Sequence, residues 1–181
     1  MTRRSYLLVT LAALLGSALP LLSDIPPLLA WNASASAPIG FYRIHPGRTP
    51  RMGDMIFVEP PIPLATWMAR RHYLPLGVPL LKHVGALPGQ TVCRSGVTVS
   101  VDGKTVARAS IRDHLGRPLP EWKGCLRMTR GQIFVLNAQA PDSFDSRYFG
   151  PIAIDGIIGT ATPLLTRQSE NGGFVWNGAK S

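Results

Sequence analysis

Residues 91–107 read TVCRSGVTVSVDGKTVA, and this stretch decides the fold class. Apolar and polar side chains alternate along it, which is the period of a β-strand with one buried face. The pair Asp102-Gly103 stands between two such runs, and an Asp-Gly pair at that place is a strong signal for a tight turn between antiparallel strands. The stretch therefore predicts a β-hairpin within an antiparallel sheet.

Strand signals continue on both sides of this hairpin. Short β-branched and aromatic runs, bounded by glycine and proline, predict further strands within residues 39–46, 54–61, 74–87, 131–138 and 154–164. Residues 63–73 have helical composition, with Pro63 at a suitable first position. We therefore expect a mainly β domain, an antiparallel sheet or a barrel-like fold, at residues 32–166, followed by a loose polar tail at residues 167–181.

The N-terminus predicts the compartment. Arg3 and Arg4 precede a run without charged residues, from Ser5 to Ser23. A helix of nineteen residues is about 28 Å long, close to the thickness of a bilayer core, and basic residues before it predict a cytoplasmic N-terminus. A cleaved secretory signal is the alternative, because residues 16–18 (GSA) resemble a cleavage site. We expect residues 1–31 to form a retained transmembrane anchor. Both interpretations of this segment predict that the main domain is exported.

The formal net charge of +9 indicates an anionic partner. Export makes nucleic acid a poor candidate, so we expect no nucleic-acid partner and favour membrane lipid. Arg70 and Arg71, in the predicted helix, are suited to contact anionic headgroups, although an ordinary surface helix has the same composition.

The two cysteines, Cys93 and Cys125, form no C-x-x-C motif and are too few for a structural zinc site. Because the exported side of a membrane is oxidising, a disulfide between them is plausible. It would close a loop of about 30 residues and contribute roughly 3 kcal/mol. The alternative is two buried free thiols. We expect neither a metal nor a cofactor.

Lys82 lies in an otherwise apolar run, LLKHVGAL at residues 80–87. Burial of an ammonium group is costly and lowers its pKa. A lysine made neutral in this way can act as the general base for a serine hydroxyl, as in Ser–Lys variants of the catalytic triad. The alternative is that Lys82 extends to the surface from a half-exposed strand, and composition alone favours it.

Four short boxes occur in one order along the chain. They are Ser34-x-Ser36 ahead of Pro38, then Gly53-Asp54, then KHVGALPG at residues 82–89, and then DSRYFG at residues 145–150. Together with the preceding apolar run they resemble the type I signal peptidase family, serine proteases that use a Ser/Lys dyad. The form S-x-P-x-G-x-Y, at residues 36–42, is most similar to the TraF-type branch of conjugative plasmid transfer. Members of that branch mature a pilin subunit, and some are associated with its cyclisation.

The resemblance implies a catalytic role for three of these residues. Ser36 would attack the scissile carbonyl, and Lys82 would take its proton and later deliver it to the leaving amine. The backbone N–H of Ser36 and the hydroxyl of Ser34 would form the oxyanion hole.

The resemblance also implies supporting roles around the DSR box. Ser146 would hydrogen-bond and orient Lys82, while Asp145 and Arg147 would form a structural ion pair near the site. We expect Ser143, just before this box, to be a solvated loop residue together with its neighbour Asp142.

The predicted function is therefore that of a single-pass inner-membrane serine endopeptidase whose catalytic domain faces the periplasm. Its expected substrate is an exported precursor protein, with a pilin of a conjugation system as the leading candidate. One alternative is a non-catalytic β-domain assembly factor, anchored at a secretion or conjugation complex. The other is a general housekeeping signal peptidase.

Overall fold

The computed structural model describes residues 2–18, 26–167 and 172–178. Its helices are α1 (Arg3–Ala18), α2 (Ile62–Arg70) and α3 (Ser146–Phe149). Its strands are β1 (Leu29–Asn32), β2 (Ile39–Pro46), β3 (Met55–Val58), β4 (Leu80–Ala86), β5 (Thr91–Ser95), β6 (Thr98–Val101), β7 (Lys104–Arg108), β8 (Gly124–Arg127), β9 (Gln132–Leu136), β10 (Ile152–Ala153), β11 (Ile157–Arg167) and β12 (Val175–Trp176). A short 3₁₀ helix, Ile154–Gly156, precedes β11.

The strands form two antiparallel sheets. The larger has the order β1-β2-β11-β3-β4-β9-β10, with β12 paired to β11, and the smaller has the order β7-β6-β5-β8. The prediction of a mainly β, antiparallel domain is confirmed. Over the described residues the larger sheet does not close on itself, so the barrel-like alternative was wrong.

The smaller sheet contains the hairpin predicted within residues 91–107. Val101 pairs with Lys104, and the two turn residues Asp102 and Gly103 have φ angles of 47° and 80°. A two-residue hairpin turn of type I′ requires a positive φ at both of its central residues. In the same sheet Cys93 on β5 pairs with Cys125 on β8, and a disulfide joins their side chains, with the two Sγ atoms 2.07 Å apart.

The larger sheet buries Lys82. Strand β4 is hydrogen-bonded on one side to β3, where Lys82 pairs with Ile56, and on the other side to β9, where His83 pairs with Leu136. Lys82 therefore lies on a central strand of the sheet, and its side chain is 4% exposed, so the surface alternative for this residue was wrong.

Two segments differ from the predicted pattern. Helix α2 ends at Arg70, and Tyr73, which was predicted to be helical, instead stacks its ring with Phe144 at 5.1 Å between centroids. Strand β12 pairs Val175 and Trp176 with β11, so part of the predicted loose tail is ordered by main-chain bonds. Residues 168–171 and 179–181 of that tail lie outside the described residues.

The predicted anchor is described in part. Helix α1 has 16 residues, and its apolar side chains from Tyr6 to Leu15 are exposed. No helix in the described parts of the chain has both the length and the apolar character needed to cross a bilayer. Residues 19–23, the last part of the predicted span, lie outside the described residues.

Candidate active site

The turn between β1 and β2 contains the two serines of the first box. Within it, the hydroxyl oxygens of Ser34 and Ser36 lie 3.0 Å apart, and the backbone N–H of Ser36 donates to Ser34 Oγ at 3.3 Å. Ser34 is exposed and Ser36 is half-buried. The Ser34 hydroxyl and the Ser36 amide therefore lie on the same side of the turn.

Lys82 joins this turn to the loop before α3. Its ammonium donates to Ser36 Oγ at 3.0 Å and to Ser143 Oγ at 2.7 Å. Burial lowers the pKa of Lys82 to about 8; the Asp145 carboxylate acts against this shift and the Arg147 guanidinium adds to it. A substantial fraction of Lys82 is therefore neutral in mildly alkaline solution, and a neutral Nζ can accept a proton from Ser36.

The structure corrects the residue that holds Lys82. Ser143 makes the contact that was expected from Ser146, whose Oγ instead accepts a hydrogen bond from the backbone N–H of Val135 at 2.9 Å. The two serine side chains point in different directions because of where they lie in the fold. Ser146 is the first residue of α3 and faces β9, whereas Ser143 lies in the loop before the helix. Ser143 is 2% exposed, so the prediction that it is solvated was also wrong.

The sequence contained a weak signal for Ser143. Asp142-Ser143 and Asp145-Ser146 repeat the same dipeptide three residues apart, so composition does not separate them. Phe144 stands between the two pairs and stacks on Trp67 of α2 at 4.9 Å between ring centroids. A large aromatic side chain at that place indicates that the loop packs against the interior of the domain, which also places the adjacent Ser143 there.

Asp145 and Arg147 form a buried, bidentate ion pair. Nε and Nη2 of Arg147 each lie 2.9 Å from an oxygen of Asp145, and the two side chains are 1% and 0% exposed. Arg147 Nη2 also donates to the carbonyls of Ala140 and Ser143, at 2.8 and 3.0 Å. Arg147 therefore holds this loop at Ala140 and at Ser143, the residue that contacts Lys82.

A cleft of about 820 Å³ opens beside Ser36. Its walls are mainly small and apolar, and include Ala35, Ala37, Ile39, Val84, Gly85 and Leu136. Such a cleft suits an extended peptide with small side chains next to the reacting bond. Gly53 also lines it and has a φ of 82°, while Asp54 accepts a bond from the Arg51 amide at 2.9 Å, so this second box forms a turn. Among the described residues, no three His, Cys, Asp or Glu side chains are grouped to hold a metal ion.

Comparisons with known proteins identify the family of this chain and several of its relatives. The family model described as signal peptidase, peptidase S26 matches residues 3–165. The chain is 39% identical over 145 residues to a protein of Sinorhizobium fredii named probable conjugal transfer protein TraF, over 75% of this chain and 76% of that one. It is 35% identical over 178 residues to the conjugal transfer protein TraF of Agrobacterium tumefaciens, over 91% and 97% of the two chains. It is 33% identical over 120 residues to a probable signal peptidase I-1 of Synechocystis, over 66% and 55%.

Proposed function

The chain belongs to the signal peptidase family S26, and on this premise we propose that it is a membrane-anchored endopeptidase with Ser36 and Lys82 as its catalytic dyad. Membership of the family implies serine peptidase activity of the signal peptidase type. The observation that supports the dyad is the 3.0 Å contact between Lys82 Nζ and Ser36 Oγ, made by a lysine that is 4% exposed.

Acylation follows from this arrangement. Neutral Lys82 takes the Ser36 proton while Ser36 Oγ attacks the scissile carbonyl. The negative charge that develops on the carbonyl oxygen is stabilised by the Ser36 amide and the Ser34 hydroxyl, which exchange their mutual 3.3 Å contact for bonds to this oxygen. Loss of one such donor typically costs about 2.7–4 kcal/mol. Lys82 then protonates the leaving amine, and its bond to Ser143 keeps Nζ in place through both transfers.

The acyl group is then passed from Ser36 to a nucleophile that Lys82 deprotonates. Water gives a shortened protein, and the N-terminal amine of the same substrate would give a cyclic one. The relatives named for conjugal transfer support a pilin precursor of a conjugation system as the substrate. We propose this substrate class for the present chain.

The pH dependence of cleavage tests Lys82 as the base. We expect kcat/KM to rise about tenfold per pH unit below the pKa of Lys82 and to level off above about 8, because only neutral Nζ accepts the Ser36 proton. Initial rates of precursor cleavage in a series of buffers, with circular dichroism to show intact folding, measure the profile. A flat profile from mildly acidic to alkaline pH would exclude this role.

Ser143→Ala is expected to lower kcat roughly 10- to 100-fold, because Nζ loses its 2.7 Å partner and its position relative to Ser36. Ser146→Ala is the matched control. It removes the acceptor of the Val135 N–H and should cost about 1–3 kcal/mol of stability with little change in kcat. Steady-state rates and urea unfolding of both variants separate the two roles, and the opposite order of the two kcat values would contradict them.

Maturation of the transfer pilin tests the substrate. In cells with a conjugation system that depends on this chain, Ser36→Ala should cause the pilin precursor to accumulate and should stop plasmid transfer, with normal growth. Normal pilin maturation in that variant would favour the non-catalytic assembly factor. Arrested growth with general precursor accumulation would favour the housekeeping signal peptidase.

We propose that residues 1–31 are retained in the mature protein, with the apolar run from Ser5 to Ser23 as the membrane anchor of a periplasmic catalytic domain whose sheet begins at β1 (Leu29–Asn32). Support comes from exposed aromatic side chains beside the start of this domain, where the Trp31 and Phe41 rings pack at 4.8 Å and Phe174 lies 6.1 Å from Trp31. Aromatic rings of this kind favour the interface of a bilayer. The intact mass of the membrane-extracted protein should include residues 1–31, whereas a mass that lacks them would show a cleaved signal.

A further inference from the structure

Two asparagine side chains contact the turn that contains Ser36. Asn32 ends β1 immediately before this turn, and Asn137 follows the last residue of β9 on the other side of the site. Asn32 is half-buried, and Asn137 is 3% exposed. Neither residue exchanges a proton in the mechanism above.

Asn32 holds the two ends of the turn together. Its Nδ2 donates to the carbonyl of Ser34 at 2.9 Å and to those of Ala37 and Pro38, each at 3.1 Å. Its Oδ1 accepts the backbone N–H of Ser34 at 3.0 Å. One amide therefore contacts residues before and after Ser36, and it supplements the main-chain bond of the turn, in which the Ala37 N–H donates to the Ser34 carbonyl at 3.4 Å.

Asn137 connects the turn to the strand of the lysine. Its Nδ2 donates to the carbonyl of Ser36 at 2.7 Å and to that of Leu81 at 3.3 Å. Its Oδ1 accepts the backbone N–H of His83 at 3.1 Å and lies 3.1 Å from His83 Nδ1. Leu81 and His83 are the two neighbours of Lys82, so this one amide bonds to Ser36 and to both sides of Lys82.

The third connection of Asn137 runs through its backbone. Its N–H donates to Asp145 Oδ2 at 3.0 Å, and Asp145 belongs to the ion pair that fastens the Ser143 loop. The side-chain amide of Asn137 uses both its donor group and its acceptor in these contacts. Asn137 is thus bonded to all three segments that supply Ser36, Lys82 and Ser143.

We propose that Asn32 and Asn137 are positioning residues that hold Ser36 Oγ within hydrogen-bond reach of Lys82 Nζ. The turn needs such support, because Ala33, Ser34 and Ala35 are exposed and contribute little packing. Small displacements of a nucleophile from its base lower catalysis steeply. This inference rests on the Ser36–Lys82 dyad proposed above.

Asparagine-to-aspartate variants test the proposal with the least change of shape. Asn32→Asp and Asn137→Asp keep the Oδ1 acceptor and remove the N–H donors to the turn. We expect each to lower kcat roughly 10- to 100-fold with little change in KM for the precursor. Asn137→Asp also adds a carboxylate beside Lys82, so its pH profile should move to higher pH, whereas that of Asn137→Ala should lose rate without this move.

Asn177→Asp is the matched control, because it removes donors to Thr166 Oγ1 and to the carbonyl of Val175, both at 3.1 Å, outside the site. It should retain the wild-type kcat. The double variant Asn32→Ala/Asn137→Ala should lose less activity than the product of the two single losses, because both residues hold one turn.

The outcomes separate this inference from the dyad on which it rests. Wild-type kcat in folded Asn32→Asp and Asn137→Ala, with Ser36→Ala inactive in the same assay, would overturn the positioning role alone. So would fully multiplicative losses in the double variant. Cleavage by Ser36→Ala at the wild-type rate would instead overturn the dyad. If Asn137 variants do not fold, Asn32→Asp, at the half-buried end of β1, decides the question by the same criterion.

Discussion

Lys82→Met is expected to lower kcat for precursor cleavage by roughly 10⁴- to 10⁶-fold, and Ser36→Ala is expected to do the same. Methionine keeps the length of the side chain but has no group that accepts the Ser36 proton. Because the two residues act as one unit, the double variant should be no slower than either single variant. Single-turnover cleavage with excess purified enzyme measures all three rates, and a loss below tenfold in either single variant would contradict the dyad.

Lys82→Met should also be more stable than the wild type, so a loss of activity in this variant cannot be attributed to unfolding. The Lys82 pKa falls from 10.5 in the unfolded chain to about 8 in the folded protein. Between these pH values the unfolded state binds more protons, so wild-type stability rises with pH, and below about 8 the full penalty is present. Lys82→Met removes that penalty and, after loss of the two serine contacts, should gain on the order of 1–3 kcal/mol at neutral pH. If urea unfolding shows that Lys82→Met is less stable than the wild type, burial of the Lys82 ammonium does not carry the expected cost in free energy.

Arg147→Met is expected to lower the free energy of unfolding by about 3–5 kcal/mol, the largest effect on stability that we predict. The substitution leaves the carboxylate of Asp145, which is 0% exposed, without its counterion. It also removes the donor to the carbonyls of Ala140 and Ser143, so the loop that holds Lys82 loses its fastening. Urea unfolding at neutral pH measures the loss.

Lys123→Met is the control for this prediction. Lys123 forms a surface ion pair with Glu121 at 3.7 Å, with side chains that are 75% and 41% exposed, and its loss should cost less than about 1 kcal/mol. A similar, small effect of Arg147→Met would show that the buried pair does not stabilise the domain. Peptidase activity of Arg147→Met should fall with the folded fraction, and also because Ser143 is less well held.

Local signals in the sequence predicted much of the sheet, whereas the resemblance to a known family indicated the central site residues. Strand β2 occupies the predicted residues 39–46, and the hairpin turns at Asp102-Gly103, because alternation and turn chemistry act over a few residues. The contact between Ser36 and Lys82 joins residues 46 apart in the chain, and only the ordered boxes of a known family indicated it.

The remaining features depend on tertiary directions that no short pattern encodes. Ser143 and Ser146 share the same preceding residue type, and only the start of α3 turns one toward Lys82 and the other toward β9. Asn137 reads as a polar residue after a strand, yet its amide contacts Ser36, which is 101 residues away. Strand β12 pairs with Leu165 and Thr166 of β11, where β11 extends beyond the segment paired with β3 (Ile157–Thr160). Residues 174–176 (FVW) are β-prone, but the tail by itself does not indicate that this edge of β11 is available.

The most direct test of the central claim identifies the side chain that is acylated during turnover. Enzyme and precursor are mixed, quenched in acid after a fraction of one turnover, and analysed by tandem mass spectrometry. We predict an acyl group on Ser36 in the wild type and none in Lys82→Met at the same time point. An acyl group on Ser34 or Ser143, or equal acylation of Ser36 with and without Lys82, would contradict the Ser36–Lys82 mechanism.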